Sequence, residues 1–121
     1  KVDISLDPFP FQGNTSTCEA VWMGVPVVTR GGSNFASRHS MTHLNHCGLP
    51  QWVHDSDDSF IDHAKYWAEN LEALSNLRHQ LRAQLLNSPA CDGKQYTEDF
   101  AAFAREIWKA YLHKSNESWT T

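Results

Sequence analysis

The stretch from Asp7 to Glu19 constrains this chain more than any other part of its sequence. An alternating apolar segment, Val2–Leu6, precedes it and predicts a strand. Ala20–Gly24 follows it and predicts a helix that ends at glycine. Such a helix start suits an anion, because its first N–H groups lack partners and the helix dipole favours negative charge there. The loop therefore predicts a phosphate or diphosphate site, with Thr15–Thr17 as side-chain donors.

The same residues also fit a purely structural interpretation. Ser16 and Glu19 have the spacing of a capping box, in which Ser16 is the N-cap and Glu19 bonds back to its backbone N–H. Capping boxes are common, whereas a short motif match is weak proof of a binding site. The loop follows a strand, however, and ligands of open α/β sheets bind beyond the carboxyl ends of strands. Both interpretations can hold at once.

Strands alternating with helices predict an α/β fold with a short parallel sheet of about three strands, flanking helices and a helical C-terminus. The second and third strands are expected at Val25–Thr29 and Gln51–His54, and a helix opening at Asn34 should end before Gly48. Three further helices are expected at about 59–70, 71–87 and 97–113. Their predicted apolar faces are Phe60, Ile61, Ala64, Trp67 and Ala68; Leu74, Leu77, Leu81 and Leu85; and Phe100, Phe103, Ile107, Trp108 and Tyr111.

The predicted organisation is a single partial domain, residues 1–121. It comprises a βαβαβ unit over 1–54, C-terminal helices over 55–114 and a frayed tail over 115–121. Trp22, Trp67 and Trp108 are expected in the core. The sheet edge and the aromatic C-terminal helix are possible surfaces for self-association, because large exposed apolar patches seek partners.

Composition excludes several classes of function. The net charge of −4 and the absence of a basic run argue against nucleic-acid binding. Apolar runs such as Val25–Val28 are far shorter than the ~20 residues that a membrane-spanning helix needs. The odd, scattered cysteines Cys18, Cys47 and Cys91 favour reduced thiols and a cytoplasmic location.

Several motifs in a fixed order then identify a family resemblance. They are Leu6–Phe11, Gly13–Ala20, Trp22–Thr29, Ala36–Arg38 and, near the end, Ser88–Asp92. Together they resemble the O-linked N-acetylglucosaminyltransferases of the SPINDLY/OGT-like glycosyltransferase family 41, and most closely the bacterial members with tetratricopeptide repeats. The resemblance runs over nearly the whole chain.

This resemblance implies a GT-B glycosyltransferase, of which the chain is the C-terminal part of the Rossmann-like, nucleotide-sugar-binding half. In that family the loop matching Gly13, Asn14, Thr15, Ser16 and Thr17 holds the diphosphate of UDP. The residue matching Glu19 bonds the ribose, and Phe11 falls where the pocket for the N-acyl group is lined. Animal members have histidine in place of Asn14 and aspartate in place of Glu19.

The implied activity is the inverting transfer of N-acetylglucosamine from UDP-N-acetylglucosamine to Ser or Thr hydroxyls of proteins. No catalytic residue is expected in this fragment, since the family's essential lysine, uracil-contacting segment, other catalytic half and acceptor-binding repeats lie upstream. No cofactor or metal is expected, because a helix terminus, hydroxyls and the lysine can stabilise the leaving diphosphate. The chain opens without Met and enters a strand at once, which suggests a piece of a larger protein that is inactive alone.

Two alternatives stay open for the function. The first is another UDP-hexose-dependent protein glycosyltransferase on the same scaffold. The second is a non-catalytic interaction or scaffold domain, against which the intact loop residues argue.

Other reactive side chains receive structural interpretations. His39, His43, His46 and Cys47 could present zinc ligands from one helix, but the ligand set is incomplete and no metal site is predicted. Cys18 is expected to be a buried helix residue rather than a nucleophile. Arg38 is expected to hold the Gly31–Asn34 loop in preference to binding a phosphate.

Overall fold

The structure is a computed structural model that describes residues 2–117, with side chains through residue 114. Within residues 2–117, three strands, five α-helices and three short 3₁₀ turns follow one another. In order they are β1 (Ser5–Leu6), α1 (Thr15–Trp22), β2 (Val27–Arg30), a 3₁₀ turn (Ala36–Arg38), α2 (His39–His46), a 3₁₀ turn (Pro50–Trp52), β3 (Val53–His54), α3 (Asp57–Glu69), α4 (Leu71–Leu86), a 3₁₀ turn (Pro89–Cys91) and α5 (Gly93–Glu117).

The strands form one parallel sheet in the order β1-β2-β3. Ser5 pairs with Val27, and Thr29 pairs with Val53. Strand β2 is central, and its first three residues are buried, as expected for a parallel strand covered on both faces. The predicted α/β fold with three parallel strands is therefore confirmed.

Strand lengths differ from the sequence prediction. β1 is limited to Ser5–Leu6, and β2 begins two residues later than predicted and reaches Arg30. Gln51 and Trp52 belong to a 3₁₀ turn that starts at Pro50, so the prediction of a strand from Gln51 is wrong there. The proline has a backbone angle suited to the first position of such a turn, which delays β3 to Val53.

Glycine ends the two helices that border the sheet. Gly24 and Gly48 have φ angles of 72° and 71°. After α1, Val25 N–H bonds Ala20 O at 2.8 Å, and after α2, Leu49 N–H bonds Leu44 O at 2.8 Å. Both ends are Schellman motifs, in which only glycine adopts the left-handed angle without strain. The predicted helix stop at Gly48 is confirmed.

The predicted capping box at Ser16 is wrong. Helix α1 begins at Thr15, two residues earlier than a Ser16 N-cap allows, and Asn14 is its N-cap. The N–H groups of Thr17 and Cys18 both donate to Asn14 O, at 3.2 and 3.3 Å. Because the Asn14 carbonyl takes these bonds, Ser16 lies inside the first turn and is not available as a cap.

The hydrophobic core joins α1, β2, α2 and α4. Leu74, Leu81 and Leu85 of α4 are buried and Leu77 is partly buried, which confirms the predicted stripe. On α3, three partly buried side chains pack against the core, as predicted: Phe60, Ala64 and Trp67. The remaining core residues are Val21, Val27, Val28, Leu44, Cys47, Leu49 and Trp52.

Some predicted core positions are exposed instead. Ile61 is 44% exposed and Ala68 is exposed, because α3 uses only a narrow stripe against the sheet. Trp22 is 41% exposed, and Arg82 lies over its ring at 4.7 Å from the centroid. Trp108 is 60% exposed on α5. The spacing of apolar residues predicted where the helices lie, but it did not predict how wide a face each helix buries.

The chain divides into two compact units, residues 1–91 and 92–121. The second unit consists of α5, which starts before the predicted Thr97 because Asp92 Oδ1 accepts from Gln95 N–H at 2.9 Å, as an N-cap does. Thr97 lies within α5 and donates to Gly93 O at 2.7 Å, so its prediction as N-cap is wrong. The helix reaches Glu117, and residues 118–121 of the predicted tail lie outside the described residues.

Among the described helices, none is both long and apolar enough to cross a membrane.

Two histidines meet where β3 packs against α3. The rings of His54 and His63 have centroids 4.6 Å apart, and His63 lies edge-on to Trp52 at 4.7 Å. His63 Nε2 accepts a hydrogen bond from Trp67 Nε1 at 3.0 Å, which requires a neutral imidazole. Burial lowers the pKa of both histidines, with the neighbouring His54 adding to the effect at His63 and Asp55 opposing it at His54.

This pair predicts a loss of stability in mild acid. The unfolded chain binds protons on these histidines below pH ~6.5, whereas the folded chain resists protonation, so the free energy of unfolding should fall as pH drops through and below that value. Urea unfolding of the chain at a series of pH values measures the effect. His63→Gln retains an acceptor for Trp67 without titrating and should flatten the pH dependence. An unchanged pH dependence in this variant would contradict the prediction.

Candidate functional site

The site forms at the carboxyl ends of the strands, where the β1–α1 loop (residues 7–14) meets the start of α1. A cavity of about 340 Å³ lies there against the edge of β1. Of the predicted site residues it is lined by Phe11, Gly13, Asn14, Ser16 and Thr17. Thr15 and Glu19 do not line it; they lie exposed on α1, one helical turn apart.

Asp7 connects the two ends of the β1–α1 loop to the sheet. Its Oδ1 accepts the Gly13 N–H at 2.8 Å, and its Oδ2 accepts the Thr29 hydroxyl at 2.6 Å. Its own N–H donates to Val28 O at 3.0 Å and continues the β1–β2 ladder. One carboxylate therefore fixes the loop end that leads into α1 relative to the central strand.

Gln12 is a second anchor of the loop and is only 1% exposed. Its Nε2 donates to Arg30 O at 2.5 Å, and its Oε1 accepts the Met41 N–H at 3.3 Å. Its backbone N–H donates to Ala36 O at 3.0 Å. A buried glutamine needs all these partners, because an unpaired amide in the interior costs about 1–3 kcal/mol.

Sequence reasoning missed both anchors. Asp7 carried a usable signal, since a carboxylate directly after a strand and six residues before glycine can reach back to a loop N–H. Gln12 carried no such signal, because its partners Arg30, Ala36 and Met41 lie 18 or more residues away in the sequence, on β2 and on the segments after it.

The buried hydroxyls of Ser40 and Thr17 hold the start of α1 in place. Ser40 Oγ donates to Gly13 O at 2.9 Å, so its only hydrogen is used there. Thr17 Oγ1, which lies 2.7 Å from Ser40 Oγ, must then be the donor of that pair. Thr17 is 2% exposed and Ser40 is fully buried. The Thr17 hydroxyl hydrogen is thus directed into the protein.

Asn14 and His43 form a polar contact at the mouth of the cavity. His43 Nε2 lies 2.6 Å from Asn14 Oδ1. Because an amide oxygen only accepts, His43 carries its proton on Nε2 in this contact. Burial lowers the pKa of His43, and the neighbouring His39 and His46 lower it further, which favours the neutral ring.

The first turn of α1 presents donors to solvent. The N–H groups of Thr15 and Ser16 have no acceptor within the described helix, since the first carbonyl available is that of Asn14. Both side chains are exposed and add hydroxyls at the positive end of the helix dipole. The arrangement suits a polyanion.

Aromatic rings lie beside the site. Phe11, which lines the cavity, is 69% exposed and contacts His39 edge-on, with ring centroids 6.3 Å apart. Phe35 also contacts the His39 ring edge-on, with centroids 4.5 Å apart. Arg38 Nε donates to Gly32 O at 3.1 Å, which confirms its predicted role in holding that loop.

The histidine and cysteine side chains of α2 do not converge on one point. Within residues 2–117 no group of three or more His, Cys, Asp or Glu side chains could hold a metal ion. Burial raises the pKa of the partly buried Cys18 thiol, with Cys91 and Glu19 adding to the effect. A thiol that stays protonated is a poor nucleophile, which agrees with the structural interpretation of Cys18.

A larger cavity of about 530 Å³ lies at the amino ends of the strands, away from this site. Asp3 and Gly24 line it together with Arg78, whose guanidinium pairs with Asp3 and also donates to Gly24 O at 2.8 Å. Its charged groups already have partners, so it is a cleft between α4 and the loops that lead into the strands.

Comparison with known proteins identifies the family. The sequence matches the family described as glycosyl transferase family 41 over residues 1–100. A Petunia hybrida protein named probable UDP-N-acetylglucosamine–peptide N-acetylglucosaminyltransferase SPINDLY is 42% identical over 110 residues, which are 91% of this chain and 12% of that protein. A Caenorhabditis elegans UDP-N-acetylglucosamine–peptide N-acetylglucosaminyltransferase is 28% identical over 109 residues, 90% of this chain and 10% of that protein.

A solved structure shares the fold. An O-GlcNAc transferase mutant from Thermobaculum terrenum superposes with a TM-score of 0.82 at 34% identity, covering 91% of this chain and 21% of that one. The chain thus spans about an eighth of the curated relatives' length and about a fifth of the solved protein. With a family match over most of its residues and this structural likeness, the chain belongs to glycosyl transferase family 41.

Proposed function

We propose that this chain is the donor-binding part of a protein O-linked N-acetylglucosaminyltransferase. The full-length protein transfers N-acetylglucosamine from UDP-N-acetylglucosamine to Ser or Thr hydroxyls, with inversion at the anomeric carbon. The family and the names of the relatives support the class of reaction. The chain's own part is to hold the nucleotide sugar, while the acceptor protein meets regions upstream.

One observation carries this proposal: the β1–α1 loop is anchored on three sides and leaves the first turn of α1 open. Asp7, Gln12 and Ser40 fix the loop from the sheet and from α2. Thr15 and Ser16 are then exposed beside free backbone N–H groups. A rigid loop that presents donors without using them is what binding of a diphosphate requires.

Catalysis follows from stabilisation of the leaving group. As the anomeric bond breaks, negative charge grows on the diphosphate. Donors fixed in place before the reaction stabilise that charge without reorganising. The chain supplies Asn14, Thr15, Ser16 and the dipole of α1, so the transfer needs no metal ion.

The other predicted residues take supporting roles. Thr17 positions the loop, because its hydroxyl donates inward to Ser40. Its side chain does not bind the diphosphate directly. Glu19, exposed one turn along α1 from Thr15, bonds the ribose. Phe11 lies against the sugar. The free thiols Cys18, Cys47 and Cys91 suit a cytoplasmic enzyme.

A second candidate is a protein glycosyltransferase that uses a different nucleotide sugar. Phe11 is a bulky, exposed side chain at the position proposed to meet the sugar substituent, so it bears directly on which sugar fits. The nucleotide base contacts regions upstream of this chain, so a donor panel that varies both base and sugar separates the two candidates.

A donor panel tests the proposal. The full-length protein should transfer N-acetylglucosamine from UDP-N-acetylglucosamine to an acceptor peptide, with undiminished rate in EDTA. Radiolabelled transfer measured with UDP-N-acetylglucosamine, UDP-glucose, UDP-galactose and guanosine-diphosphate sugars separates the two candidates. Preference for another sugar would favour the second candidate, and no transfer from any donor would favour the scaffold alternative.

Each hydroxyl that donates a hydrogen bond to the diphosphate should contribute strongly to the rate of transfer. Thr15→Ala and Ser16→Ala in the full-length protein should each lower kcat/KM for the nucleotide sugar by roughly ten- to a hundredfold, the worth of one hydrogen bond to a charged group. Glu19→Gln should mainly raise the donor KM. Steady-state kinetics with varied donor, accompanied by thermal melts, make the test; wild-type values in both alanine variants would refute the diphosphate assignment.

Gly13 should tolerate no side chain. A Cβ at Gly13 would lie 2.6 Å from Ser16 Oγ and 2.7 Å from Thr17 Oγ1. Gly13→Ala must therefore turn the Ser16 hydroxyl away and displace the buried Thr17 hydroxyl from its contact with Ser40. We expect donor binding to weaken by at least about tenfold, since each ~1.4 kcal/mol of lost contact is a factor of ten. Gly93→Ala is the matched control, because a Cβ there meets nothing within 4 Å. Calorimetric titration with UDP measures both variants, and equal affinities would contradict the described loop geometry.

A further inference from the structure

We propose that His43 is a positioning residue for the donor: its Nε2–H holds the Asn14 carboxamide so that the amide NH₂ of Asn14 faces the diphosphate. This inference rests on the proposed function of the β1–α1 loop as the diphosphate site. It assigns a role to a residue of α2 that does not itself line the cavity.

The first step is that Asn14 does not use its side chain as a cap. It occupies the N-cap position of α1, with φ −122° and ψ −88°, yet among the described residues its side chain accepts no hydrogen bond from the helix. An asparagine at this position ordinarily turns its oxygen back to the N–H of the second or third helical residue. Here the oxygen turns toward His43 instead, at 2.6 Å.

The second step is what this leaves on Asn14. A carboxamide has one acceptor oxygen and an NH₂ group on opposite sides of the same planar group. With the oxygen held by His43, the NH₂ group is directed away from α2. In the described part of the chain it donates to no protein acceptor, and Asn14 lines the cavity. An oriented neutral donor is thereby available to an anion at the start of α1.

The third step is that α2 is built to support two consecutive loop residues. Ser40 and His43 lie three residues apart and so share a face of α2. Ser40 donates to the Gly13 carbonyl at 2.9 Å, and His43 donates to the Asn14 side chain. The buried position of Ser40 keeps this face against the loop.

The fourth step concerns the protonation state. Burial, with His39 and His46 nearby, lowers the pKa of His43 and keeps the ring neutral at physiological pH. A neutral ring has a single proton, and the contact with Asn14 places it on Nε2. His43 thus acts as a fixed hydrogen-bond donor rather than as a cation beside the diphosphate.

The experiment is a double-mutant cycle on the full-length protein, with donor kinetics as the readout. His43→Leu removes the Nε2–H group and should lower kcat/KM for the nucleotide sugar by about three- to tenfold, the worth of one neutral hydrogen bond. The KM for the acceptor peptide should not change. His43→Gln places an amide N–H close to the position of Nε2–H and should restore most of the activity. Asn45→Leu, at an exposed position on the same helix, is the control.

The second arm of the cycle replaces Asn14. In an Asn14→Ala background His43→Leu should have little further effect, because the group that it orients is gone. His43→Met serves as a second variant without a donor if His43→Leu melts below the assay temperature. The inference would be overturned if His43→Leu and His43→Met both used the nucleotide sugar with wild-type kinetics. It would also be overturned if His43→Leu lowered kcat/KM as much in the Asn14→Ala background as in the wild type.

Comparison with Thr15→Ala and Ser16→Ala separates this inference from the function on which it rests. If those two variants are impaired while Asn14→Ala and His43→Leu are not, the diphosphate site stands and the role of His43 falls. If all four behave as wild type, the proposed function itself is wrong.

Discussion

The Asp7 carboxylate is the interaction on which the rest of this site depends. It accepts from the Gly13 N–H on one side and from the Thr29 hydroxyl on the other, at 2.8 and 2.6 Å. A hydrogen bond to a charged group is about twice as strong as one between neutral groups. Without this bridge, the only side-chain anchors described for the end of the β1–α1 loop would be Gln12, which bonds Arg30 O, and Ser40, which bonds Gly13 O. The hydrogen-bond donors at the start of α1 would then be held less firmly relative to β2.

Hydroxyl groups that look alike in sequence have different tasks in the structure. Thr15, Ser16 and Thr17 are consecutive, but a helix turns about 100° per residue, so they point in different directions. Thr17 points inward to Ser40, whereas Thr15 and Ser16 are exposed. One hydroxyl is thus used to support the loop, and its two neighbours stay free for a ligand. Within a single helical turn, one hydroxyl therefore stabilises the fold and the other two are exposed to solvent.

Much of the fold followed from local sequence signals, and the failures have physical causes. The strand–loop–helix order, the helix stop at Gly48 and the leucine stripe of α4 depend on periodicity and glycine chemistry, which are local. The cap of α1 was predicted wrongly, because the choice between Asn14 and Ser16 depends on contacts from α2, far along the chain. Gln12 and His43 were not predicted as parts of the site for the same reason: their partners are brought together only by the folded sheet.

The glycine that ends α1 makes the candidate site sensitive to substitutions at a distance from it. Gly24 lies at the far end of a helix of eight residues, about 12 Å long. A Cβ there would come within 2.8 Å of Arg78 O, and Arg78 Nε in turn donates to Gly24 O at 2.8 Å. Helix α1 is therefore held at both ends, by the loop and by α4. A side chain at Gly24 would have to displace α1 or α4, and any shift of α1 would move the N–H and hydroxyl groups at its other end, so a substitution far from the candidate site can alter its geometry.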